Sequence, residues 1–271
     1  MRIDSHVHVW SDGSPPFTYS DGMTSSRPDG AATVERLIES MDQNGIDMTI
    51  LVQCFYHGYD NSYMCHSMGR FPDRLKGVAL LDTLDPGAAD ELERLYREHG
   101  VQGMRLYPVK AEDASWLCED HQIPLWERAR DIGVPFIWFG WCRQIPFLRP
   151  MLEKFPEVPV IIDHMALMGE PNLDEGVDGS FQNLLKLSSC PNVYVKPTGV
   201  EGISKKGWPY DDVLPYVKAV YETFGAQRLI GSSEFPFNPG NEAALVEGPF
   251  SFFTKDDQEW INGKTAAKIY C

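Results

Sequence analysis

Near the start of the chain, His6 and His8 stand one residue apart in Ile3-Asp4-Ser5-His6-Val7-His8-Val9-Trp10. Successive side chains of a strand point to opposite faces, so Asp4, His6 and His8 share one face while Ile3, Val7 and Val9 share the other. Two neutral imidazoles presented side by side suit chelation of one metal ion. A strand end with both rings turned to solvent satisfies the same short pattern, so other residues must decide.

His164 closes the apolar run Val158-Pro159-Val160-Ile161-Ile162 and follows Asp163. A lone histidine is ordinarily a core residue bonded to backbone, but one placed at a strand end beside a carboxylate points to metal ligation or proton transfer. Glu234, two residues before Pro236, reads either as a solvated loop acid or as the carboxylate that joins His6, His8 and His164 in a mixed nitrogen and oxygen site. Arg105 and Lys196 end two further apolar runs. They either pair with the abundant acids or meet a substrate carboxylate, Arg105 acting as a fork-like clamp. Tyr107 lies beside Arg105 as a further substrate contact. His57 is a weaker substrate-binding candidate, since its neighbours Asp60 and Asn61 are explained equally by turn formation. Trp138 either lines a pocket or fills the core. His66, His99 and His121 fall in helical stretches and read as surface residues.

These residues need a scaffold that gathers strand ends. Strand candidates recur at residues 3–9, 48–52, 76–82, 101–107, 134–139, 158–164, 192–196 and 228–231, each followed by a helix or by a long loop and helix. Thr33 caps the first helix and Gly45 ends it, Asp85-Pro86 opens another, and Thr254-x-x-Asp257 resembles a capping box. A helix is expected through Trp116 and Ala129, divided at Pro124, and another from Asp212 to Phe224. Near-continuous apolar strands alternating with helices imply a parallel sheet, and eight such units imply an α/β fold of the closed (β/α)8 TIM-barrel type. A doubly wound open sheet is the alternative, but no G-x-G-x-x-G turn follows the first strand. In the barrel the active site lies at the carboxyl ends of the strands, where His6, His8, His57, Arg105, Tyr107, Trp138, Asp163, His164, Lys196 and Glu234 fall. The Ser- and Pro-rich loop from Ser11 to Ala32 is placed to cover that mouth.

The 271 residues, 43% hydrophobic and 23% charged, suit one large domain spanning 1–271. A formal charge of −15 repels phosphate backbones and anionic membranes, so nucleic-acid and membrane partners are not expected. The six cysteines form no C-x-x-C pair, and no leader or membrane-spanning run is seen, which together suggest a soluble cytoplasmic protein. A small anionic molecule is the expected partner, and homo-oligomer formation is left open.

The ordered set of motifs resembles the amidohydrolase family 2 branch of the amidohydrolase superfamily, especially its lactonase-like group. It comprises the opening His-x-His strand, Tyr59-Asp60-Asn61-Ser62-Tyr63, Phe71-Pro72-Asp73-Arg74-Leu75-Lys76-Gly77-Val78-Ala79, Gly103-Met104-Arg105-Leu106, Ile162-Asp163-His164-Met165, Val193-Tyr194-Val195-Lys196 and Arg228-Leu229-Ile230-Gly231-Ser232-Ser233-Glu234-Phe235-Pro236. The resemblance implies a TIM-barrel hydrolase with one divalent ion, zinc or manganese, held by His6, His8, His164 and Glu234. It also implies that Glu234 and His164 are catalytic and that a lactone or similar cyclic ester is the substrate. Glu234 stands where the family usually has aspartate, and Ile137-Trp138-Phe139 stands where many metal-binding relatives carry a histidine. A non-oxidative decarboxylase, a metal-free lactonase and a non-catalytic acid-binding barrel are the rival readings.

Overall fold

The computed structural model describes residues 1–22, 24, 26–108, 114–168, 179–237 and 252–271. Strands β1 (Ile3–Val7), β2 (Met48–Val52), β3 (Leu75–Leu80), β4 (Met104–Leu106), β5 (Phe136–Trp138), β6 (Val160–Ile162) and β7 (Val193–Val195) pair in parallel in chain order, forming one seven-stranded sheet. Helices α1 (Val34–Asn44), α2 (Ser62–Arg70), α3 (Ala88–His99), α4 (Ile123–Ile132), α5 (Ile145–Lys154), α6 (Phe181–Lys186), α7 (Val200–Ile203), α8 (Leu214–Phe224), α9 (Lys255–Glu259) and α10 (Thr265–Tyr270) occupy the connections and the C-terminal end. The signals of α1 behave as expected: the Thr33 side chain accepts from the Arg36 N–H, and Gly45 ends the helix in the left-handed region at φ 64°. The start expected at Asp85-Pro86 is a turn instead, in which Asp85 Oδ1 accepts the Gly87 N–H at 2.8 Å, and α3 begins at Ala88 without a side-chain cap. Among the described residues, no helix is long and apolar enough to cross a membrane.

The strands are apolar on both faces because both faces are covered. One buried cluster combines Leu51, Ala79, Met104, Phe136 and Val160 with Leu37 of α1, Leu92 of α3, Trp126 of α4 and Leu152 of α5. A second joins Ile3, Ile50, Val78, Ile137, Ile161, Tyr194 and Ile230 to Ala266 and Tyr270 of α10. In a flat sheet β1 and β7 would be opposite edges, too far apart for Ile3 and Tyr194 to share one cluster. The sheet therefore curls around this second core.

The eighth expected strand is not formed. Residues 226–228 make a 3-10 turn, and the following segment spans the gap between β7 and β1 by single contacts. The Ile230 N–H donates to the Val195 carbonyl at 3.0 Å, and the Ser5 N–H donates to the Gly231 carbonyl at 3.2 Å. A ladder cannot propagate because the Gly231 N–H is already spent on the Ile261 carbonyl at 2.8 Å. Beyond it, the buried Asp4 carboxylate takes over: Oδ1 accepts the Ser233 N–H at 3.0 Å, and Oδ2 accepts the Ser233 hydroxyl.

That clasp goes with an irregularity in β1. Asp4 pairs with Thr49 and Val7 with Leu51, so three steps along β1 face two along β2. The extra residue breaks the expected alternation: Ile3 joins the inner core while Val7 and Val9 join the outer one. Asp4 consequently serves the seam instead of standing in line with His6 and His8.

Smaller differences have local causes. The strand expected over 101–107 is regular only at β4. The helix expected through Trp116 consists of two 3-10 turns before α4, and Pro124 sits in the first turn of α4, where its missing N–H costs nothing. The helix expected from Asp212 starts at Leu214. The segments expected as loops after His164 and after Gly231 fall partly outside the described residues, at 169–178 and 238–251.

Ser233→Ala removes both the hydroxyl bond to Asp4 and the bond that the Ser233 hydroxyl accepts from the Phe235 N–H at 3.0 Å. The expected loss is about 1–3 kcal/mol of stability, as for a buried hydrogen bond to a charged group. Urea unfolding measures it, and a midpoint equal to that of the parent protein would show that the seam is held by other contacts.

Candidate active site

Two local devices aim side chains at the carboxyl edge of the sheet. The first follows β6. In a continued strand Asp163 and His164 would point to opposite faces, but His164, Met165 and Ala166 have φ of 49°, 57° and 56°. Consecutive left-handed residues without a glycine are strained, of order 1 kcal/mol or more each. The turn brings both Asp163 and His164 inward. The second device is Glu234, itself at φ 62°, with its N–H on the His6 carbonyl at 3.1 Å.

Asp163 is a fully buried hub. Its Oδ2 accepts from Nε and Nη2 of Arg105 at 3.1 and 2.8 Å. Its Oδ1 lies 2.9 Å from Lys196 Nζ and 3.3 Å from His6 Nδ1. The Asp163 carboxyl is held well below the usual carboxylate range, because three neighbouring cationic or protonatable groups outweigh a burial that acts in the opposite direction. Arg105 and Lys196 are thus spent first on an internal anion, not held free for a substrate. One nitrogen is left over: Arg105 Nη1, with two N–H donors, is buried and has no hydrogen-bond partner among the described residues.

Three histidines and Glu234 gather beside this hub. The Nε2 atoms of His6 and His8 are 3.2 Å apart. Glu234 Oε2 lies 3.4 Å from His164 Nε2 and 3.7 Å from His6 Nε2. Ligand atoms of His6, His164 and Glu234 all fall within 4.8 Å of one another. His8 joins the group through its Nε2 contact with His6.

The donor set fits a divalent ion. His8 Nδ1 donates to the Val52 carbonyl at 2.8 Å and His164 Nδ1 to the Thr198 carbonyl at 3.1 Å, so each ring turns a bare Nε2 inward. His6 Nδ1 is met by Lys196 Nζ at 2.9 Å and by Asp163 Oδ1 at 3.3 Å; an ammonium only donates, so His6 presents a bare Nε2 only in the tautomer that carries its proton on Nδ1 towards Asp163, with the Lys196 protons turned to Asp163 Oδ1. Burial pushes His8 down to about 3 and His164 down to about 4, and holds His6 well below its ordinary value. All three rings are therefore neutral at pH 7, as ligation requires. Burial pushes the Glu234 carboxyl up to about 8, against a hydrogen bond from Ser232 that lowers it. That bond, 2.7 Å to Oε1, leaves Oε2 as the oxygen facing the histidines. Thr198 sits behind both groups: its carbonyl holds His164 and its hydroxyl meets that of Ser232.

The remaining sequence candidates separate. Tyr107 is half-buried at this edge, stacked on Phe139 at 5.5 Å. His57 is not free to meet a substrate: Nδ1 bonds to the Thr18 carbonyl at 3.0 Å and Nε2 accepts the Ser11 N–H at 3.2 Å, pinning the Ser11–Ala32 loop to the segment after β2. Trp138 shares its strand face with Phe136, which meets Trp126 of α4, so it fills the helix-facing core. His66, His99 and His121 are exposed, as expected. Thr198, Ser232 and the hub role of Asp163 were not singled out from sequence, although Asp163, as the first polar residue after the apolar run 158–162, was a usable signal.

The family model described as amidohydrolase matches residues 3–271. A 4-sulfomuconolactone hydrolase of Rhizobium radiobacter is 28% identical over 248 residues, covering 86% of this chain and 75% of the relative. An L-fucono-1,5-lactonase of Burkholderia ambifaria is 26% identical over 244 residues, covering 87% and 80%. Among solved structures, an amidohydrolase of Burkholderia multivorans with bound zinc superposes at a TM-score of 0.82 with 19% identity, over 100% of this chain and 99% of that one.

Gly199 has φ 79°, and a Cβ there would lie 2.4 Å from His164 Nδ1. Gly199→Ala is expected to displace His164 and to weaken zinc binding roughly 10- to 100-fold. Competition with a chromophoric chelator measures this, and unchanged affinity would remove His164 from the ligand set.

Glu234 also gives a pH signature in the metal-free protein. Its carboxyl is raised from 4.5 to about 8, so its stabilising effect is complete below 4.5 and is lost as pH rises through about 8. The histidines act in the opposite sense, contributing above 6.5 and losing their effect as pH falls through about 4 and about 3. Between roughly pH 5 and pH 9 the Tm of the metal-free parent should therefore fall relative to that of Glu234→Gln. Parallel curves would mean that Glu234 is ionised throughout.

Proposed function

The chain belongs to the amidohydrolase family, and from that premise we propose that it is a hydrolase that opens a lactone or similar cyclic ester on a small acidic molecule. The fold is then a single-domain (β/α)8 barrel over 1–271, with residues 229–231 closing the ring between β7 and β1. The observation that carries the reading is a buried carboxyl, Glu234, set 3.4 Å from His164 and 3.7 Å from His6 at the edge where the strands end.

In ring opening, water attacks the lactone carbonyl carbon, the ring C–O bond breaks and the ring oxygen leaves as an alkoxide. Glu234 takes the proton from the water at Oε2 and returns it to that oxygen, giving a hydroxy acid. Ser232 holds Oε1 and keeps the carboxylate plane fixed during both transfers. His6, His164 and Glu234, with His8 beside His6, would hold one zinc or manganese ion, which when bound favours the carboxylate form of Glu234, polarises the carbonyl and lowers the pKa of water. Lys196 and Asp163 act through His6, fixing its orientation by their contacts at Nδ1. Arg105 orients the substrate through the Nη1 donors left over from its pair with Asp163, and Tyr107 bounds the ring.

The test is acid release at constant pH from 4-sulfomuconolactone and L-fucono-1,5-lactone, with carbon dioxide followed in parallel on aromatic acids. Glu234→Gln should keep the fold, as judged by circular dichroism, and lower kcat by roughly 10²- to 10⁴-fold. Chelation should abolish activity and zinc or manganese should restore it. Carbon dioxide without lactone opening would instead make the protein a decarboxylase, and near-normal turnover by Glu234→Gln would exclude that residue as the base.

A further inference from the structure

Three buried oxygens in a row fix the direction in which protons point at Glu234. Ser232 donates to Glu234 Oε1 at 2.7 Å, and the hydroxyl oxygens of Ser232 and Thr198 are 2.5 Å apart. Thr198, Ser232 and Glu234 are no more than 5% exposed. A hydroxyl carries a single hydrogen. Once Ser232 gives its hydrogen to the carboxylate, only Thr198 can supply the hydrogen of the second contact. The chain therefore runs from Thr198 to Ser232 to Oε1, and in a buried setting each donor strengthens the next. The opposite sense needs a proton on Oε1 itself, so it is closed while Glu234 is a carboxylate.

This sense matters because the seam holds its own side chains loosely. The segment that carries Ser232 and Glu234 forms no regular strand or helix, and Glu234 sits at φ 62°. A terminal carboxylate torsion is broad, so its two oxygens exchange places unless one is held. The Ser232 hydroxyl likewise turns about its C–O bond unless its oxygen is engaged. Thr198 belongs to a different element, the segment after β7, and its hydrogen removes both freedoms together. The oxygen left on the histidine side is then Oε2, 3.4 Å from His164 Nε2 and 3.7 Å from His6 Nε2. Thr198 reaches His164 by a separate route, through the backbone carbonyl that accepts from Nδ1 at 3.1 Å. Changing the side chain leaves that carbonyl in place, so the two routes can be told apart.

We infer that Thr198 is a positioning residue for Glu234: its hydroxyl, acting through Ser232, keeps Oε1 an acceptor and reserves Oε2 for the ion and for the proton taken from water. The inference rests on the reading of Glu234 as ligand and base, and adds a residue that acts on it only through another side chain. Thr198→Ala and Thr198→Ser both lose the methyl group and differ only in the hydroxyl. Competition with a chromophoric chelator should show zinc bound roughly 10- to 100-fold more weakly by Thr198→Ala, and within about 3-fold of the parent by Thr198→Ser. Adding Thr198→Ala to Ser232→Ala should cost about 2-fold at most, because the chain is already cut. On a lactone that the parent opens, at saturating zinc, Thr198→Ala should lower kcat roughly 10- to 100-fold with KM within about 2-fold. Parent-like zinc affinity or kcat in Thr198→Ala, equal losses in the two Thr198 variants, or additive losses in the double variant overturn the inference. Thr198→Val, which removes the hydroxyl and keeps the bulk, takes the place of Thr198→Ala if that variant does not fold. Should the parent open no lactone, the hydrolase reading fails and the zinc measurements still decide the inference. Should it bind no zinc either, urea unfolding of Thr198→Ala, Glu234→Gln and their double variant decides: non-additive midpoints support the chain and additive ones overturn it.

Discussion

The buried Asp163 carboxylate is the interaction on which the rest of the site depends. It sits after β6 and draws in Arg105 from β4, Lys196 after β7 and His6 from β1. Each cation is too costly to bury alone, and removing the shared anion would strand both, an effect of about 3–5 kcal/mol for a broken buried pair. The arrangement therefore has one low-energy form. It holds the β1 histidine opposite the strand end that carries His164, and it makes the strained left-handed turn at 164–166 tolerable.

A second, independent tie operates across the seam. Asp4 fastens Ser233 to the start of β1, and the Glu234 N–H meets the His6 carbonyl. The same short segment thus closes the sheet and delivers the carboxyl. Thr198 couples the two systems, since its carbonyl orients His164 and its hydroxyl reaches Ser232, which in turn holds Glu234. Structure and chemistry are not separable here: the groups that close the sheet are one or two residues from those that would move protons.

Electrostatics divides the labour. The histidines are buried and neutral, which suits them to bind an ion or share a proton. Burial favours the acid form of Glu234, so the carboxyl has strong affinity for a proton, the property a base requires. Arg105 and Lys196 place two cationic groups around one carboxylate, and Arg105 Nη1 stays buried without a hydrogen-bond partner among the described residues.

Much of this was legible in the chain itself. The alternation of apolar runs with capped helices determined a parallel α/β sheet, because the hydrophobic pattern and the caps are local properties of consecutive residues. The placement of His6, His8, Arg105, His164, Lys196 and Glu234 at strand ends followed from the same rhythm. Tertiary structure alone decided what those residues do. The irregularity in β1, the left-handed turn without a glycine at 164–166 and the single-contact seam at 229–233 have no local signature, since each is stabilised by partners far away in sequence. Arg105 and Lys196 looked like free substrate clamps until folding set Asp163 between them. His57 and Trp138 looked like site residues until backbone groups claimed one and the helix layer buried the other. Local patterning determines which elements form. Which charge meets which is a property of the closed fold, because it depends on distances that exist only after the strands have been brought together.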